Sequence, residues 1–299
     1  VFLSNSGAEA NECLIKTARK WASDTKGEGE HPFVTLVNSF HGRTLTTVTA
    51  TGQDTFHKFF GPFTPGFRYV PASDLAALER QLDAEDCSAV LVEIVQGEGG
   101  VRALDADYLK AVEALCHEKN VLFCVDEVQT GNGRTGTRFA YEQFGLSPDL
   151  VSTAKGLDNG LPIGATLMGP KTAEVLTPGT HGSTFGGNPV ACAGALSVLE
   201  QIDDAFLEAV KQKGAWLTAE LEKIPGVKDV SGLGLMLGFS VEGCKSADIK
   251  AKALDNGLVV LTAKDRVRLL PPLAITEEEL SDGLLRLAAA IREVQEAAH

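Results

Sequence analysis

Long apolar runs are absent from this sequence, and so is an excess of positive charge. No run approaches the ~20 apolar residues of a transmembrane helix, and the first residues do not resemble a signal peptide. Acidic residues outnumber basic ones by 40 to 27, and the net charge of −13 disfavours binding to nucleic acid or to an anionic membrane. We therefore expect a protein that binds neither nucleic acids nor membranes.

Paired cysteines are also absent. The six cysteines are scattered and include no C-x-x-C pair, which argues against a disulfide framework or a metal site. Four of them lie in apolar segments typical of helices or strands, so we expect reduced thiols in a cytoplasmic protein. An initiator methionine is missing as well, because the chain starts at Val1 within a strand-like segment. We expect the natural protein to begin earlier.

The rest of the composition is typical of a globular protein. The 299 residues are 44% apolar and 22% charged, enough for a large domain and part or all of a second. Apolar runs alternate with segments of helical spacing, which predicts an α/β fold with a mostly parallel sheet. Residues 1–203 are predicted to form this large domain, and residues 204–299 a smaller α+β domain. We also predict single strands over 89–96 and 233–241.

The most informative stretch lies between Val121 and Lys155. The apolar run V-L-F-C-V precedes Asp126, and a second short apolar run precedes Lys155. Such runs predict buried parallel strands, and open α/β sheets bind ligands at the carboxyl ends of their strands. We therefore expect Asp126 and Lys155 to face the same crevice.

Two loops carry residues suited to phosphate. Ser6 and Glu9 have the spacing of a capping box, followed by apolar residues at helical spacing. The amino terminus of a helix binds phosphate, although an ordinary capped helix fits the same residues equally well. In the loop 181–189, Ser183 and Thr184 offer hydroxyl groups between glycines, which can donate to a phosphate.

Four charged residues lie in settings that suggest a ligand site. Arg43 follows Phe40 on a loop and suits a carboxylate or phosphate, although a surface arginine is the simpler interpretation. Glu93 lies within an apolar run, where a carboxylate is costly unless paired, so it is a candidate site residue. Glu98, in a glycine-rich loop, is either solvated or part of a site. Arg268 lies between apolar strand residues, close to two prolines.

Residues 131–136, G-N-G-R-T-G, match the dinucleotide-binding pattern G-x-G-x-x-G. In that pattern the first glycine directly follows a strand and the last opens a long helix. Here residues 126–130 intervene between the strand and the first glycine. A nicotinamide-dependent enzyme is therefore disfavoured.

Six motifs in order resemble those of the class III (subgroup II) aminotransferases, which are fold type I enzymes that use pyridoxal phosphate. They are S-G-A-E-A-N at 6–11, F-H-G-R at 40–43, Q-G-E at 96–98, D-E-V-Q-T-G at 126–131, A-K-G at 154–156 and H-G-S-T-F-G-G-N-P at 181–189. Within the family, the sequence is most similar to the enzymes that act on N2-acetylornithine. The resemblance implies transfer of the δ-amino group of N2-acetylornithine to 2-oxoglutarate, a step of arginine biosynthesis.

The resemblance also implies a role for each matching residue. Lys155 would hold pyridoxal phosphate as a Schiff base and move the proton during the reaction. Asp126 would keep the ring nitrogen protonated, so that the positive ring withdraws electrons from the substrate carbon. Gln129 would lie near the ring hydroxyl, and Phe40 and Val128 would pack on the two faces of the ring.

The same resemblance implies which residues would bind the phosphate group of the cofactor. Ser6, Gly7 and Ala8 would bind it at the start of the first helix. Ser183 and Thr184 would bind it as well, and Thr184 would come from the neighbouring subunit. The resemblance therefore implies a homodimer with shared active sites.

The substrate carboxylates are assigned in the same way. Arg268 would bind the α-carboxylate of glutamate, and Arg43 would bind the distal carboxylate, including that of acetylornithine. Glu98 would pair with the arginine that is left without a carboxylate when the ω-amine substrate binds, because an unpaired buried charge is costly. Glu93 would support the site.

Three alternatives stay open. Aminotransferases for ornithine, succinylornithine or 4-aminobutyrate would share this chemistry, although Phe185, where ornithine aminotransferases tend to have tyrosine, favours acetylornithine. An aminomutase that uses the same cofactor is disfavoured by Gln129. A truncated or inactive relative is the third, and the presence of Lys155, Asp126 and Arg268 argues against a decayed site.

Overall fold

The structure is a computed structural model that describes residues 1–83 and 86–297. It divides into two compact units, and each is described by itself. The first unit comprises 1–94, 104–132 and 139–202, and the second comprises 95–103, 133–138 and 203–299. The sequence predicts a division at residue 203, but packing also places two earlier short segments in the second unit.

The strands of the described residues are β1 Phe2–Ser4, β2 Phe33–Leu36, β3 Phe67–Val70, β4 Ala89–Val92, β5 Val95–Gln96, β6 Arg102–Ala103, β7 Leu122–Asp126, β8 Leu150–Thr153, β9 Gly164–Met168, β10 Val227–Leu233, β11 Met236–Val241, β12 Leu261–Ala263 and β13 Arg266–Leu269. The α-helices are α1 Gly7–Lys26, α2 Leu45–Ala50, α3 Asp54–His57, α4 Leu75–Leu82, α5 Ala106–Glu118, α6 Pro189–Gln201, α7 Asp204–Leu221, α8 Ser246–Asp255 and α9 Glu277–Ala297. Short 3₁₀ helices cover Ala140–Phe144 and Lys155–Leu157.

A seven-stranded sheet in the order β1-β9-β8-β7-β4-β2-β3 organises the first unit. The strands from β3 to β8 along this order run parallel, whereas β9 is antiparallel to both β8 and β1. The predicted α/β fold with a mostly parallel sheet is therefore confirmed. Every residue of β2, β4, β7 and β8 is buried, as expected for strands that are covered on both faces.

Helix α1 packs its apolar face on this sheet. Its residues at helical spacing, Leu14, Ile15, Ala18, Trp21 and Ala22, are buried in one cluster with strand residues such as Phe33 and Leu91. The predicted cap is confirmed, because the Ser6 hydroxyl accepts a hydrogen bond from the Glu9 N–H at 3.2 Å. The return bond differs from a standard capping box, since the Glu9 carboxylate accepts from the N–H of Asn5 at 2.9 Å.

The predicted strand over 89–96 is wrong in its extent. Strand β4 ends at Val92, and Val95–Gln96 pairs instead with β6 in a separate two-stranded hairpin. The chain leaves the large sheet at Glu93, whose carboxylate accepts from the N–H of Phe40 at 2.8 Å. A polar contact at the strand end therefore interrupts an apolar run that looks continuous in the sequence.

The second unit is built on a four-stranded antiparallel sheet in the order β10-β11-β13-β12. One face of the sheet packs on α7, α8 and α9, in a cluster that includes Leu217, Phe239, Ile249, Val267 and Leu287. The single strand predicted over 233–241 is wrong, because β10 and β11 form a hairpin that turns at Gly234, with a φ of +55°. The register of β10 shifts between Lys228 and Ser231, which hides its alternation in the sequence.

All six cysteines are free thiols in the described part of the chain, and Cys13, Cys87, Cys116 and Cys124 are buried. Burial raises the pKa of the Cys87 thiol to about 11 and those of Cys116 and Cys124 well above the ordinary value. Thiols in this state are unreactive. Among the residues that the structure describes, no helix combines the length and apolar character needed to span a membrane.

Candidate active site

A cavity of about 450 Å³ in the first unit collects most of the predicted cofactor residues. It lies where β7 and β8 end and α1 begins. Its predicted lining residues are Ser6, Gly7, Ala8, Phe40, Glu93, Asp126, Val128, Gln129 and Lys155. Asp126 and Lys155, which the sequence predicts to face one crevice, both line this cavity.

The carboxylate of Asp126 is the most elaborately held group in this cavity. Its Oδ2 accepts from the Nδ2 of Asn11 at 2.8 Å and lies 2.8 Å from the Nδ1 of His41. Its Oδ1 accepts from the N–H of Val128 at 3.0 Å. Asn11 also donates to the backbone carbonyl of His41 at 2.8 Å, so one amide holds both members of the Asp126–His41 pair.

These contacts decide the charge of Asp126. Burial raises its pKa, but the hydrogen bond and the electrostatic effect of His41, with further donors from Val128 and Asn11, outweigh burial and lower the pKa below its ordinary value. Asp126 is therefore ionised at neutral pH. A buried carboxylate that keeps its charge suits a cationic group of a ligand.

Lys155 occupies an uncommon backbone conformation just after β8. Its φ is +46°, in the left-handed region that few lysines adopt. The residue is exposed and lines the cavity. Such conformations persist where the surroundings enforce them and cluster at functional sites. The chain just before Lys155 is held by Asn132, whose Nδ2 donates to the Thr153 Oγ1 at 2.9 Å and to the Ala154 carbonyl at 3.0 Å.

The start of α1 contributes the phosphate-binding candidates Ser6, Gly7 and Ala8 to the cavity. Gly7 is needed there for packing, because a Cβ at this position would lie 2.6 Å from the Cγ1 of Val128. The glycine therefore lets the helix start approach the loop after β7. The helix N–H groups at this end have no intrahelical partners, which is the usual setting of a phosphate site.

Arg43 lies near the cavity residues but is not part of their lining. The side chain is exposed, and its guanidinium lies 5.4 Å from the ring centroid of Phe40 and 4.6 Å from that of Phe56. The two rings contact each other edge to face, with centroids 5.2 Å apart. Cation–π contacts of this kind hold an arginine in place without neutralising it.

Ser183 and Thr184 are also outside the cavity lining of this chain. The Ser183 hydroxyl accepts from the Nδ2 of Asn5 at 3.1 Å and from the N–H of Gly186 at 3.1 Å. Thr184 is exposed at the surface of the unit. The structure therefore gives Ser183 a contact with the residue before the helix cap but does not bring Thr184 to the other cofactor residues of its own chain.

Glu98 and Arg268 belong to the second unit, and there they form an ion pair. The Nη1 of Arg268 donates to the Glu98 Oε1 at 2.6 Å, with the arginine side chain 9% exposed and the carboxylate side chain 29% exposed. The Nε of Arg268 is buried and has no hydrogen-bond partner within residues 1–83 and 86–297. The guanidinium of Arg268 therefore has a donor left for a second acceptor.

Three residues of this region carried no predicted role. His41 and Asn11 lie inside motifs that the sequence displays, but only the fold shows that both contact Asp126. Asn132 lies inside the segment that imitates a dinucleotide site. That segment is built of turns and leads into a 3₁₀ helix at Ala140–Phe144 rather than a long helix.

The sequence model of the class-III aminotransferases matches residues 1–291. The acetylornithine aminotransferase of Haemophilus ducreyi is 51% identical over 295 residues, which cover 98% of this chain and 75% of that protein. The ornithine aminotransferase of Toxoplasma gondii, whose structure has PLP at partial occupancy in its active site, has a TM-score of 0.92 and 37% identity, covering 99% of this chain and 73% of the other.

A solved N-acetylornithine aminotransferase from Stenotrophomonas maltophilia has a TM-score of 0.85 and 38% identity, covering 99% of this chain and 75% of the other. The fold is that of the fold type I enzymes that use pyridoxal phosphate. The chain belongs to the class-III aminotransferase family.

The cavity residues fit pyridoxal phosphate. Besides the ionised Asp126 and the lysine, the cavity lining includes buried polar atoms that no described residue satisfies, namely the Oε1 of Gln129 and the Oδ1 of Asn11. Unsatisfied buried polar groups are rare in proteins and are expected where a ligand completes them. The family and this donor set together indicate pyridoxal phosphate as the cofactor.

Proposed function

We propose that this protein transfers the δ-amino group of N2-acetylornithine to 2-oxoglutarate, giving N-acetylglutamate 5-semialdehyde and glutamate. This reaction is a step of arginine biosynthesis. The observation that carries the proposal is a cavity lined by Lys155 and Asp126, in a chain whose relatives at 44–51% identity are acetylornithine aminotransferases. Several similar solved structures are ornithine aminotransferases, so ornithine is the second candidate substrate.

The cofactor's part is to act as an electron sink for the substrate carbon that loses a proton. The chain's part is to hold charge and move that proton. Asp126 would keep a negative charge at the ring nitrogen, because the 2.8 Å contact with His41 lowers the pKa of Asp126 against the effect of burial. Lys155 supplies the amine that attaches the cofactor and then carries the proton between carbon atoms.

The other cavity residues orient the cofactor. We assign the ring hydroxyl to Gln129, the two ring faces to Phe40 and Val128, and the phosphate to the start of α1 at Ser6, Gly7 and Ala8. Glu93 holds the loop that presents Phe40, because its carboxylate accepts from the Phe40 N–H. Glu93 is thus a supporting residue rather than a substrate ligand.

Two arginines and one glutamate account for the choice of substrates. We assign the α-carboxylate of glutamate to Arg268 and the distal carboxylate, including that of acetylornithine, to Arg43. The 2.6 Å ion pair between Glu98 and Arg268 supports the assignment of Glu98 as the group that covers Arg268 when no α-carboxylate is present. A buried arginine without an anionic partner would otherwise carry a costly unpaired charge.

We further propose that the active form is a homodimer. Helix α6 exposes Leu196 and Leu199, three residues apart on one face, with exposed fractions of 60% and 46%. Phe185, in the loop before this helix, is also exposed, and Thr184 lies beside it. Exposed large apolar side chains of this kind are typical of an interface, and a partner that covers Phe185 would lie close to Thr184 as well.

A cytoplasmic location completes the proposal. It rests on the six free thiols of the described chain, four of them buried, which are typical of a reducing compartment.

The substrate is tested by comparing kcat/KM for acetylornithine, ornithine, succinylornithine and 4-aminobutyrate, with 2-oxoglutarate as the acceptor. We expect acetylornithine to give the highest value. A higher value for 4-aminobutyrate or ornithine would overturn the proposed substrate while leaving the aminotransferase class intact.

A further inference from the structure

Arg266 is a buried arginine that the proposed reaction does not use. It is 1% exposed, and it is the largest fully buried side chain among the described residues. Within the described ranges no carboxylate pairs with it, and its Nε and Nη1 have no hydrogen-bond partner. A cation is rarely buried in this way without a function that repays its desolvation.

The Nη2 of Arg266 faces three oxygen atoms of two neighbouring strands. It donates to the backbone carbonyls of Asp229 and Gly238 and, at 2.9 Å, to the hydroxyl of Ser231. Asp229 and Ser231 lie where the register of β10 shifts, and Asp229 has a φ of +55°. Arg266 therefore holds an irregular part of β10 in one conformation.

Ser231 also contacts the turn of the hairpin formed by β5 and β6. Its hydroxyl donates to the carbonyl of Val101 at 2.6 Å. Val101 is fully buried and has a φ of +53°, which is a strained conformation for a β-branched residue. It packs against Gly238, where an added Cβ would lie 2.7 Å from the Val101 Cβ. The base of the hairpin turn is thus fixed on the sheet.

Arg266 also contacts the turn directly. A Cβ added at Gly100, whose φ is +109°, would lie 3.3 Å from the Cδ of Arg266. The turn closes with a hydrogen bond from the Val101 N–H to the Gly97 carbonyl at 3.2 Å. The turn between Gly97 and Val101, which we call the Glu98 turn, is therefore held at its base by Arg266 and Ser231.

The Glu98 side chain of this turn contacts Arg268. Arg266 and Arg268 are two residues apart in β13, so their side chains share one face of the sheet. On that face Arg266 holds the base of the turn, and Arg268 pairs with the Glu98 carboxylate at 2.6 Å. The two arginines thus act on one short segment from one strand.

We propose that Arg266 and Ser231 are positioning residues that set how firmly Glu98 covers Arg268, and thereby the balance between the two substrates. This inference rests on the proposed function of Glu98 and Arg268. A turn held firmly keeps Glu98 on Arg268 and favours the amine substrate that has no carboxylate there. A loosened turn leaves Arg268 open to the α-carboxylate of glutamate.

Ser231→Ala is the milder test of this proposal, because it removes one hydroxyl from a partly buried position. The rates of the two half-reactions, with acetylornithine and with glutamate, are measured separately in the holoenzyme by single-turnover absorbance. We expect the ratio of kcat/KM for acetylornithine to that for glutamate to fall roughly two- to tenfold, the effect of losing one hydrogen bond. Ser240→Ala is the matched control, since Ser240 bonds Lys228 and Asp229 within the same strand pair but does not contact the Glu98 turn.

A double-mutant cycle separates positioning from a general structural role. If Ser231 acts through Glu98, then Ser231→Ala changes the ratio in the wild-type background but has no further effect in a Glu98→Ala background. Arg266→Met, which removes all three donor contacts, should shift the ratio in the same direction. An equal loss in both half-reactions, or a Ser231 effect that persists without Glu98, would overturn the proposal.

The same data keep this inference apart from the proposed function. Failure of the wild type to use acetylornithine would contradict the proposed substrate, and the ratio would then be measured with whichever ω-amine the wild type accepts. The coupling between Ser231 and Glu98 is compared within one protein and does not depend on the identity of that amine.

Discussion

Asp126 shows how single residues set the chemistry of this cavity. A carboxylate this deeply buried would normally hold its proton, and burial does raise its pKa. The 2.8 Å contact with His41 reverses that effect and keeps Asp126 charged. If Asp126 faces the ring nitrogen as proposed, the charge there depends on His41, a residue that need not touch the cofactor.

Replacing His41 should weaken both cofactor binding and activity. In a His41→Ala variant, burial would dominate and raise the pKa of Asp126, so activity should be lost at a higher pH than in the wild type. The affinity for pyridoxal phosphate should fall roughly 10- to 100-fold, the value of a hydrogen bond to a charged group. The acid limb of the kcat/KM profile and a cofactor titration measure these effects.

Asn11→Ala is the control for that experiment. It removes an uncharged donor to the same Oδ2 atom, and we expect a smaller loss of affinity and a smaller shift of the acid limb. An unchanged acid limb in His41→Ala would mean that His41 does not set the charge of Asp126.

The residues of the site differ in how visible they are in the sequence. Asp126, Lys155 and Gln129 follow apolar runs in recognisable motifs, so their presence in one cavity can be expected from the sequence. The contact of His41 with Asp126 joins residues 85 positions apart, and the contact of Asn11 joins residues 115 positions apart. Such pairings depend on strand order and register, which local sequence does not specify.

At the scale of elements, Glu127 joins the end of β7 to the 3₁₀ helix Ala140–Phe144. It is fully buried, and its carboxylate accepts from the Thr130 hydroxyl and from the Tyr141 N–H at 2.9 Å. Burial raises the pKa of Glu127 to about 7. The hydrogen bonds from Thr130, Tyr141 and Ala140 lower this pKa, but they only partly offset burial. The negative charge of Asp126 raises it further. The neutral form is therefore favoured in the folded protein below about pH 7.

This raised pKa predicts a pH dependence of stability. Between the unfolded value of 4.5 and the folded value of about 7, the folded protein binds more protons than the unfolded chain. The contribution of Glu127 to the free energy of unfolding is therefore fully present below about pH 4.5. As the pH rises through 7, this contribution is lost, by up to about 3 kcal/mol.

Denaturant unfolding of Glu127→Gln should show a smaller loss of stability between pH 5 and pH 8 than the wild type. Glu142→Gln, in the 3₁₀ helix Ala140–Phe144, is the control and should keep the wild-type dependence. Equal dependences in the wild type and Glu127→Gln would rule out this origin.

The elements that were hard to predict are those with weak or interrupted alternation. Strand β3 is an edge strand with the mixed composition F-R-Y-V and was not predicted. Strand β10 is interrupted by its register shift at Lys228 and Ser231 and was also missed. The helices were better specified, because α1 and α5 begin at capping residues, Ser6 and Asp105, that precede apolar faces at helical spacing.

At the scale of the whole molecule, the division into two units was only partly visible. The sequence changes character near residue 203, and the first unit ends at Ile202. The membership of 95–103 and 133–138 in the second unit depends on tertiary contacts such as that of Ser231 with Val101. The segment 95–103 carries Glu98, so this packing places the glutamate in the same unit as Arg268.

The proposed homodimer is also tested at this scale. Leu196→Glu would put a charge on the exposed apolar face of α6, and we expect it to yield monomers with strongly reduced activity because Thr184 would no longer reach a partner's site. Leu285→Glu, at a residue of α9 that is 71% exposed, is the control and should remain dimeric. Light scattering and activity are measured on the same samples. A Leu196→Glu monomer with full activity would contradict the shared site.

The central claim is that Lys155 binds pyridoxal phosphate in a cavity where Asp126 carries the opposing charge. The most direct measurement is borohydride reduction of the holoenzyme, followed by proteolysis and mass spectrometry to locate the pyridoxyl group. We predict that the label is found on Lys155 alone and that a Lys155→Ala variant carries none. A label on another lysine in the wild type, or a Lys155→Ala variant that keeps full turnover, would contradict this account.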